Sequence, residues 1–292
     1  MHLTASSPHS TVAPDAVEVT RLGVVRYLNT RPLIAGLEGL ADLRLRPEVP
    51  ADLVGALERG EVHAALCSSI DYQRSRRDLV VLPVGLLGCD GPTLTVQVFS
   101  RVPLERIRRL HADMDSHTSR VLAQLVLTER CGRAPELVDL ASEMDSVDEA
   151  VLLIGDKVVL QPPDPADFPH RLDLGDAWRR MTGLPFTFAC WMAARPVNDE
   201  ELRRLRTLSA VLDHQRRRNL QRRAALGAME GPRRGWPADL AVQYLCDLLR
   251  FEWTDRHRQG LELFWQRAVQ AGCLDRCRPL RRLEAVCRRG PD

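Results

Sequence analysis

The sequence predicts an α/β protein of two lobes, with mixed or parallel sheets and a helical C-terminal segment. Three observations carry this. Between Arg21 and Ala194, short apolar or alternating runs trade places with stretches of helical spacing, each punctuated by Gly, Pro, Ser or Thr. These units fall into two groups around the polar turn at Pro103. From Asn198 the character changes to arginine-rich helices that run to about Gln270. The expected organisation is a ragged tail over 1–16, a first lobe from 17–100 with 190–292, and a second lobe over 101–189. At 292 residues there is material for about two domains.

Residues 17–24 alternate and then run apolar, as a strand entering a buried sheet does. The turn Tyr27-Leu28-Asn29-Thr30-Arg31-Pro32 ends it, and Pro32 suits the first turn of a helix reaching Leu40. Residues 43–49 form a second alternating strand. Pro50-Ala51-Asp52 then opens a helix to Arg59, which Gly60 stops. Residues 62–67 are a short apolar strand leading to Ser68-Ser69. Strand–helix–strand units of this length argue for a parallel sheet covered on both faces. Strands are expected at 80–84 and 93–100, followed by a polar turn after Pro103. Leu122, Leu125 and Val126 give 118–131 helical spacing, with Gly132 as its stop. Residues 137–140 and 150–154 read as strands, 161–171 as a proline-rich loop, 174–182 as a short helix and 186–194 as a long apolar strand. The runs 93–100 and 186–194 are the expected crossings between lobes.

Composition removes several classes. Apolar residues at 45% and charged residues at 27% exclude a disordered or collagenous chain. Forty-one basic against 39 acidic side chains leave +2, so no global field draws the protein to nucleic acid. Lys157 is the only lysine; the other basic residues are arginine. No stretch approaches the ~20 apolar residues of a membrane helix. Residues 1–16 lack a basic n-region and an apolar h-region, so no signal peptide is read there, and the expected compartment is the reducing cytoplasm. The eight scattered cysteines are then expected as thiols. H-E-x-x-H, G-x-x-x-x-G-K-[ST] and G-x-G-x-x-G are all missing from the chain. Cys273, Cys277 and Cys287 are loosely spaced with no histidine beyond His257, so no metal is expected. Arg203-Arg204, Arg206, Arg216-Arg217-Arg218 and Arg222-Arg223 read as a solvated face opposite Leu202, Leu205, Leu208 and Leu212. Trp178, Trp191 and Trp265 read as packing.

In open sheets, ligands sit off the carboxyl ends of the strands. The residues expected there are Asn29-Thr30, Ser68-Ser69, Asp90-Gly91 with Thr93 and Thr95, Ser116-His117-Thr118-Ser119, and Gly155-Asp156. Most are neutral hydrogen-bonding groups. Ser68-Ser69 and Thr118-Ser119 fall at expected helix starts, where free N–H groups favour an anion. Taken singly, each is more simply an ordinary cap; together they point to a small molecule bearing carboxylates. His117 and Asp90 are the titratable candidates for proton work, with a loop hydrogen bond and an Asp-Gly-Pro turn as equal alternatives. Asp156 is either a gate to the cleft or a turn residue.

Residues Arg21 to Leu33 (RLGVVRYLNTRPL) resemble the opening G-x-x-x-Y-L-N-x-x-P of the chorismate dehydratase family, which begins the futalosine route to menaquinone. The resemblance continues through Val49-Pro50, Gly60-Glu61-Val62, Ser68-Ser69-Ile70-Asp71-Tyr72, Asp90-Gly91-Pro92 and Ser116-His117-Thr118-Ser119. Leu152-Leu153-Ile154-Gly155-Asp156, Asp173-Leu174-Gly175, Thr182-Gly183-Leu184-Pro185-Phe186 and Gly260-Leu261-Glu262 extend it to about Leu274. It implies a type II periplasmic-binding-protein fold used as an enzyme. It also implies the reaction: chorismate loses its C4 hydroxyl and C3 proton to give 3-enolpyruvyl-benzoate, with a substrate carboxylate taking the proton. Carried over by position, Asn29 and Thr95 would be catalytic, Asn29 as a donor to substrate. Thr30, Ser68, Ser69, Asp90, Gly91, Ser116, Thr118, Ser119, Gly155 and Asp156 would bind substrate. No cofactor is implied; the partner is the small molecule, not nucleic acid or membrane, and the protein is a monomer or homodimer. Relatives read Ser-Asp-Gly-Pro-Val-Gly-Ser where this chain has Cys89-Asp90-Gly91-Pro92-Thr93-Leu94-Thr95. Leu94 is therefore expected to put bulk where backbone passes close to ligand, and Cys89 to replace a good donor by a weak one. Two further readings share the fold: a non-catalytic small-carboxylate-binding protein, and the later naphthoate-forming enzyme, against which Tyr27-Leu28-Asn29-Thr30 speaks. Residues 273–292 lie outside the resemblance.

Overall fold

The computed structural model describes residues 19–140 and 147–283; the expected tail over 1–16 and Cys287 lie outside the described residues. The first sheet holds β1 (Thr20–Val25), β2 (Leu43–Glu48), β3 (Ala64–Ser68), β4 (Leu79–Cys89), β10 (Phe186–Ala194) and β11 (Leu249–Arg250), in the order β11-β4-β10-β3-β1-β2. The second holds β5 (Val96–Ser100), β6 (Arg109–Ala112), β7 (Glu136–Asp139), β8 (Ala150–Ile154) and β9 (His170–Asp173), in the order β7-β6-β8-β5-β9.

Neither sheet is wholly parallel. β1 runs parallel to β2 and β3, but β10 slots between β3 and β4 antiparallel to both. The chain returns from the second lobe at the carboxyl ends of β3 and β4, with Phe186 opposite Cys89, so its re-entry strand must run backwards. β5 likewise lies antiparallel to β8 and β9. The sheets also divide the chain differently from the expected lobes: β5 belongs wholly to the second sheet, and all of β10 to the first. The crossings are thus the loop before β5 and the segment of α6 (Leu174–Thr182) that precedes β10.

Local signals explain most helices. Pro50 opens α2 (Pro50–Glu58) at its first position, and Gly60 at φ +72° turns the chain out. The Ser116 side chain accepts from the Ser119 N–H to cap α4 (His117–Cys131), and Gly132 ends it at φ +68°. The Asp173 carboxylate caps α6 by accepting from the Gly175 and Asp176 N–H groups. The expected helix from Pro32 to Leu40 is shorter: α1 (Arg31–Ile34) stops before Gly36, whose φ of +93° breaks the helical path. β4 is longer than expected and runs through two close approaches: a Cβ at Gly88 would sit 2.5 Å from the Phe186 carbonyl oxygen, and one at Gly85 would sit 3.1 Å from the Arg216 and Leu33 side chains. The strand β6 falls where only a polar turn was expected.

The arginine-rich segment packs onto the first sheet as α7 (Asp199–Gln221), α8 (Arg223–Arg233), α9 (Ala238–Gln243) and α10 (Asp255–Gln270). Leu205, Leu208 and Leu212 bury one face of α7, as the spacing predicts, yet Arg216 is also buried. Its guanidinium donates to the Val84 carbonyl at 2.8 Å and pairs with Asp213 and Glu252, which offsets the cost of burying it. The three tryptophans are core: Trp265 stacks on Tyr72 at 5.1 Å, and Trp178 meets Phe186 and Phe264 edge-on. Beyond α10 the chain returns along β4. The Tyr72 hydroxyl donates to the Pro279 carbonyl and accepts from the Arg281 N–H, while the Val81 N–H donates to the Arg281 carbonyl. This strap gives the free edge of β4 a partner.

Candidate active site

The carboxyl ends of β1, β3, β4, β6 and β8 converge on one cavity between the sheets, with about 40 Å³ of free space. At roughly 10–15 Å³ per water, that is room for a few waters. Asn29, Ser68, Thr93, Thr95, Ser116 and Ser119 bring their polar groups to its wall, beside the apolar Leu87, Ile154 and Phe188. Two tyrosines, Tyr27 and Tyr244, complete the polar lining. No lining residue is Asp, Glu, Lys, Arg or His.

Asn29 sits on a single helical turn after β1. The Thr30 hydroxyl fixes that turn by donating to the Val25 and Tyr27 carbonyls at 2.7 and 2.9 Å. Thr30 is therefore fully buried beneath the turn and does not line the cavity. From the second lobe, Asp156 accepts from the Leu28 N–H at 3.3 Å. Asp156 thus holds the Asn29 turn in place and does not line the cavity. Burial pushes its carboxyl above the usual range. The Asn29 Oδ1 atom is buried without a hydrogen-bond partner.

The serine and threonine pairs split according to face. Ser68 ends β3 pointing into the cavity, whereas the Ser69 hydroxyl turns behind it to lie 3.4 Å from Thr118. Thr118 also accepts from the Ile70 N–H at 3.1 Å, so this pair joins the two lobes. On α4, Ser116 and Ser119 face the cavity, and Thr118 does not. The helix expected after Ser68-Ser69 is only the single turn α3 (Asp71–Arg74), without a side-chain cap.

His117 is taken up by Asp71: its Nδ1 lies 2.8 Å from an Asp71 carboxylate that is almost wholly buried. Burial raises the Asp71 carboxyl and the bond to His117 works against that rise. Asp90 lies at the surface, paired with Arg179 at 2.7 Å, and Gly91 takes φ +124° in the turn that follows. Neither Asp90, Gly91 nor His117 lines the cavity; Gly155 does, at φ +66°, with the Tyr27 ring against it.

Two features that sequence reasoning passed over position the wall. Asp173 accepts from the Thr93 and Leu94 N–H groups and the Gln97 side chain as well as from α6. Among the described residues Leu94 is the one non-glycine at positive φ, +67°. The position takes the left-handed region, which glycine adopts without strain and leucine does not. The Leu94 side chain packs against the core and is not part of the cavity wall, contrary to the expected clash with ligand. Cys89 is buried beneath α6, where a Cβ on Gly175 would come within 2.5 Å of its sulfur, so it too lies off the cavity. The second feature is Tyr27, whose hydroxyl donates to Asp115 at 2.6 Å, while Lys157 bridges Asp113 and Asp115 at 2.5 and 2.9 Å. Burial alone would raise the Asp115 carboxyl, but the Tyr27 and Lys157 bonds outweigh it and hold it low. Tyr27 was visible in the Tyr-Leu-Asn motif. Tyr244 had no local signal: it opens a wide helical turn after α9, and its hydroxyl lies 2.5 Å from that of Thr95 across 149 residues of chain.

Two sheets joined by two crossings around a polar cavity define the periplasmic-binding-protein class of fold. The structure is similar to the alkanesulfonate-binding protein SsuA of Xanthomonas axonopodis pv. citri bound to MOPS (TM-score 0.64, 12% identity, 90% of this chain and 96% of that one). It is also similar to protein AF1704 of Archaeoglobus fulgidus (TM-score 0.61, 15% identity, 89% and 100% coverage). Residues 20–270 match the family described as menaquinone biosynthesis, and this chain belongs to that family. It is 32% identical over 259 residues to the chorismate dehydratase of Thermus thermophilus, spanning 83% of this chain and 93% of that protein. Among the described residues no helix is long and apolar enough to cross a membrane.

Proposed function

We propose that this protein dehydrates chorismate to 3-[(1-carboxyvinyl)oxy]benzoate, the opening step of the futalosine route to menaquinone. The observation that carries the reading is the cavity itself: hydroxyls and an amide at the ends of five strands, with no charged side chain among them. A site built this way supplies no general base, and the reaction asks for none. The C3–H bond breaks as a carboxylate of the substrate takes the proton; its electron pair becomes the C3–C4 double bond; the C4–O bond breaks, and the departing hydroxide is matched by the proton that the carboxylic acid gives back, so that water leaves. Atoms balance without oxidant or reductant, and aromatisation supplies the driving force.

The protein's work is positional. Ser116 and Ser119 stand at the first turn of α4, where their hydroxyls and the helix dipole favour a carboxylate. Ser68, from the first sheet, can hold the same or the second carboxylate from the opposite side. Holding a reactive conformer and excluding water can lower a barrier by ~7–11 kcal/mol. The cavity lies between the two sheets, so substrate entry requires the lobes to part and then close over it. The links that close them are Tyr27–Asp115, Asp156–Leu28, Thr118–Ile70 and His117–Asp71.

The test is turnover. Purified protein mixed with chorismate is expected to yield an aromatic product one water lighter by mass spectrometry. Asn29→Ala is expected to lower kcat by about a hundredfold, the order seen when one preorganised polar group is removed. Chorismate bound but recovered unchanged would replace this reading with that of a binding protein.

A further inference from the structure

We infer that Tyr244 is a positioning residue of this site, its hydroxyl orienting that of Thr95 so that Thr95 donates into the cavity beside the free Asn29 oxygen. The inference rests on the chorismate reading and deepens it by naming how the leaving hydroxyl is gripped. Tyr244 comes from neither sheet but from the helical segment that packs behind the cavity, at the first residue of the wide turn Tyr244–Leu248. Turns of this kind recur at functional sites. Its ring is fully buried and stacks on Trp236 at 5.0 Å and 21°, so the hydroxyl has one available direction.

That direction is Thr95, at 2.5 Å between oxygens. A phenol is the stronger acid of the two, so it donates and the threonine oxygen accepts. The Thr95 backbone is already engaged, its N–H with the Thr93 carbonyl and its carbonyl with the Gly155 N–H. The threonine proton is then left to point at the cavity that Thr95 lines. Asn29 lines the same cavity, and its Oδ1 atom is buried without a hydrogen-bond partner. Asn29 and Thr95 therefore present one acceptor and one donor at the same wall, and the phenol's donation polarises the Thr95 hydroxyl. An alcohol is the group that both gives and takes a hydrogen bond, and the hydroxyl lost from C4 is the alcohol of this substrate. Asn29 thus acts as an acceptor toward that hydroxyl, and Thr95 as the donor that strengthens as charge develops on the departing oxygen.

The test is a double-mutant cycle in the full chain with Tyr244→Phe and Thr95→Val. The phenylalanine keeps the Trp236 stack and removes only the hydroxyl. Expected for Y244F is a fall in kcat of about tenfold, the worth of one hydrogen bond, with KM within about twofold of wild type. Expected for the double variant is a kcat no lower than that of T95V alone, because the two residues act as one unit. Wild-type kcat in Y244F, or losses that multiply in the double variant, overturns the inference while leaving the chorismate reading intact. The same cycle run on urea unfolding reads the Tyr244–Thr95 bond without substrate. Coupled effects there support the bond even if chorismate is not turned over, which would be the failure of the functional reading instead. Additive effects there overturn it.

Discussion

Replacing Asp173 by alanine tests how the cavity wall is built. One carboxylate caps α6 and also accepts from the Thr93 N–H at 3.0 Å, the Leu94 N–H at 2.8 Å and the Gln97 amide at 2.8 Å. Loss of an N-cap costs about 1 kcal/mol. Each of the three donors left without a partner costs at least about 1 kcal/mol more. Together they predict about 4 kcal/mol of lost stability, or about 8 °C in Tm for a chain of this size. Thr95 follows directly on the released turn, so turnover should fall in parallel. Leu94→Gly placed in the D173A background should recover about 1 kcal/mol, because glycine holds the left-handed turn without a clasp. Urea unfolding of the wild type, D173A and the double variant measures all of this. A loss below about 1.5 kcal/mol in D173A, or no recovery on adding L94G, would refute the idea that this carboxylate holds a strained turn in place.

Two other outcomes follow from particular contacts. Burial holds His257 at about 4, well below the ordinary histidine value of 6.5, so the folded protein binds fewer protons than the unfolded chain between those values. Stability is expected to fall as pH drops through that window, by about 3 kcal/mol on reaching pH 4; His257→Gln should flatten the pH dependence of urea unfolding, and an unchanged slope would count against it. Gly175→Ala puts a methyl within 2.5 Å of the Cys89 sulfur and 2.6 Å of the Gly91 carbonyl. It should cost about 1–3 kcal/mol by overpacking in a thermal melt, and a melt at the wild-type temperature would show that α6 shifts freely.

The amino-acid order by itself determined what forms within a turn or two of chain. The bounds of α6 and β10, the stop of α4 at Gly132 and the opening of α2 at Pro50 were all legible, because caps, glycines and alternation act on immediate neighbours. The Tyr27-Leu28-Asn29 motif and the hydroxyl pairs were legible as a group, and six of the twelve expected site residues do line the cavity: Asn29, Ser68, Thr95, Ser116, Ser119 and Gly155. Only the tertiary structure decided which member of each pair faces inward. Ser68 and Ser69 differ by one strand step, and Thr118 points away from the Ser116–Ser119 face of its helix, so the choice waits on where the partner lobe stands. It also decided the backward run of β10, set by a chain returning from elsewhere, and the meeting of Tyr244 with Thr95. Contacts between residues so far apart leave no periodic trace in the chain; they exist only once burial of the helical segment has brought their two surfaces together.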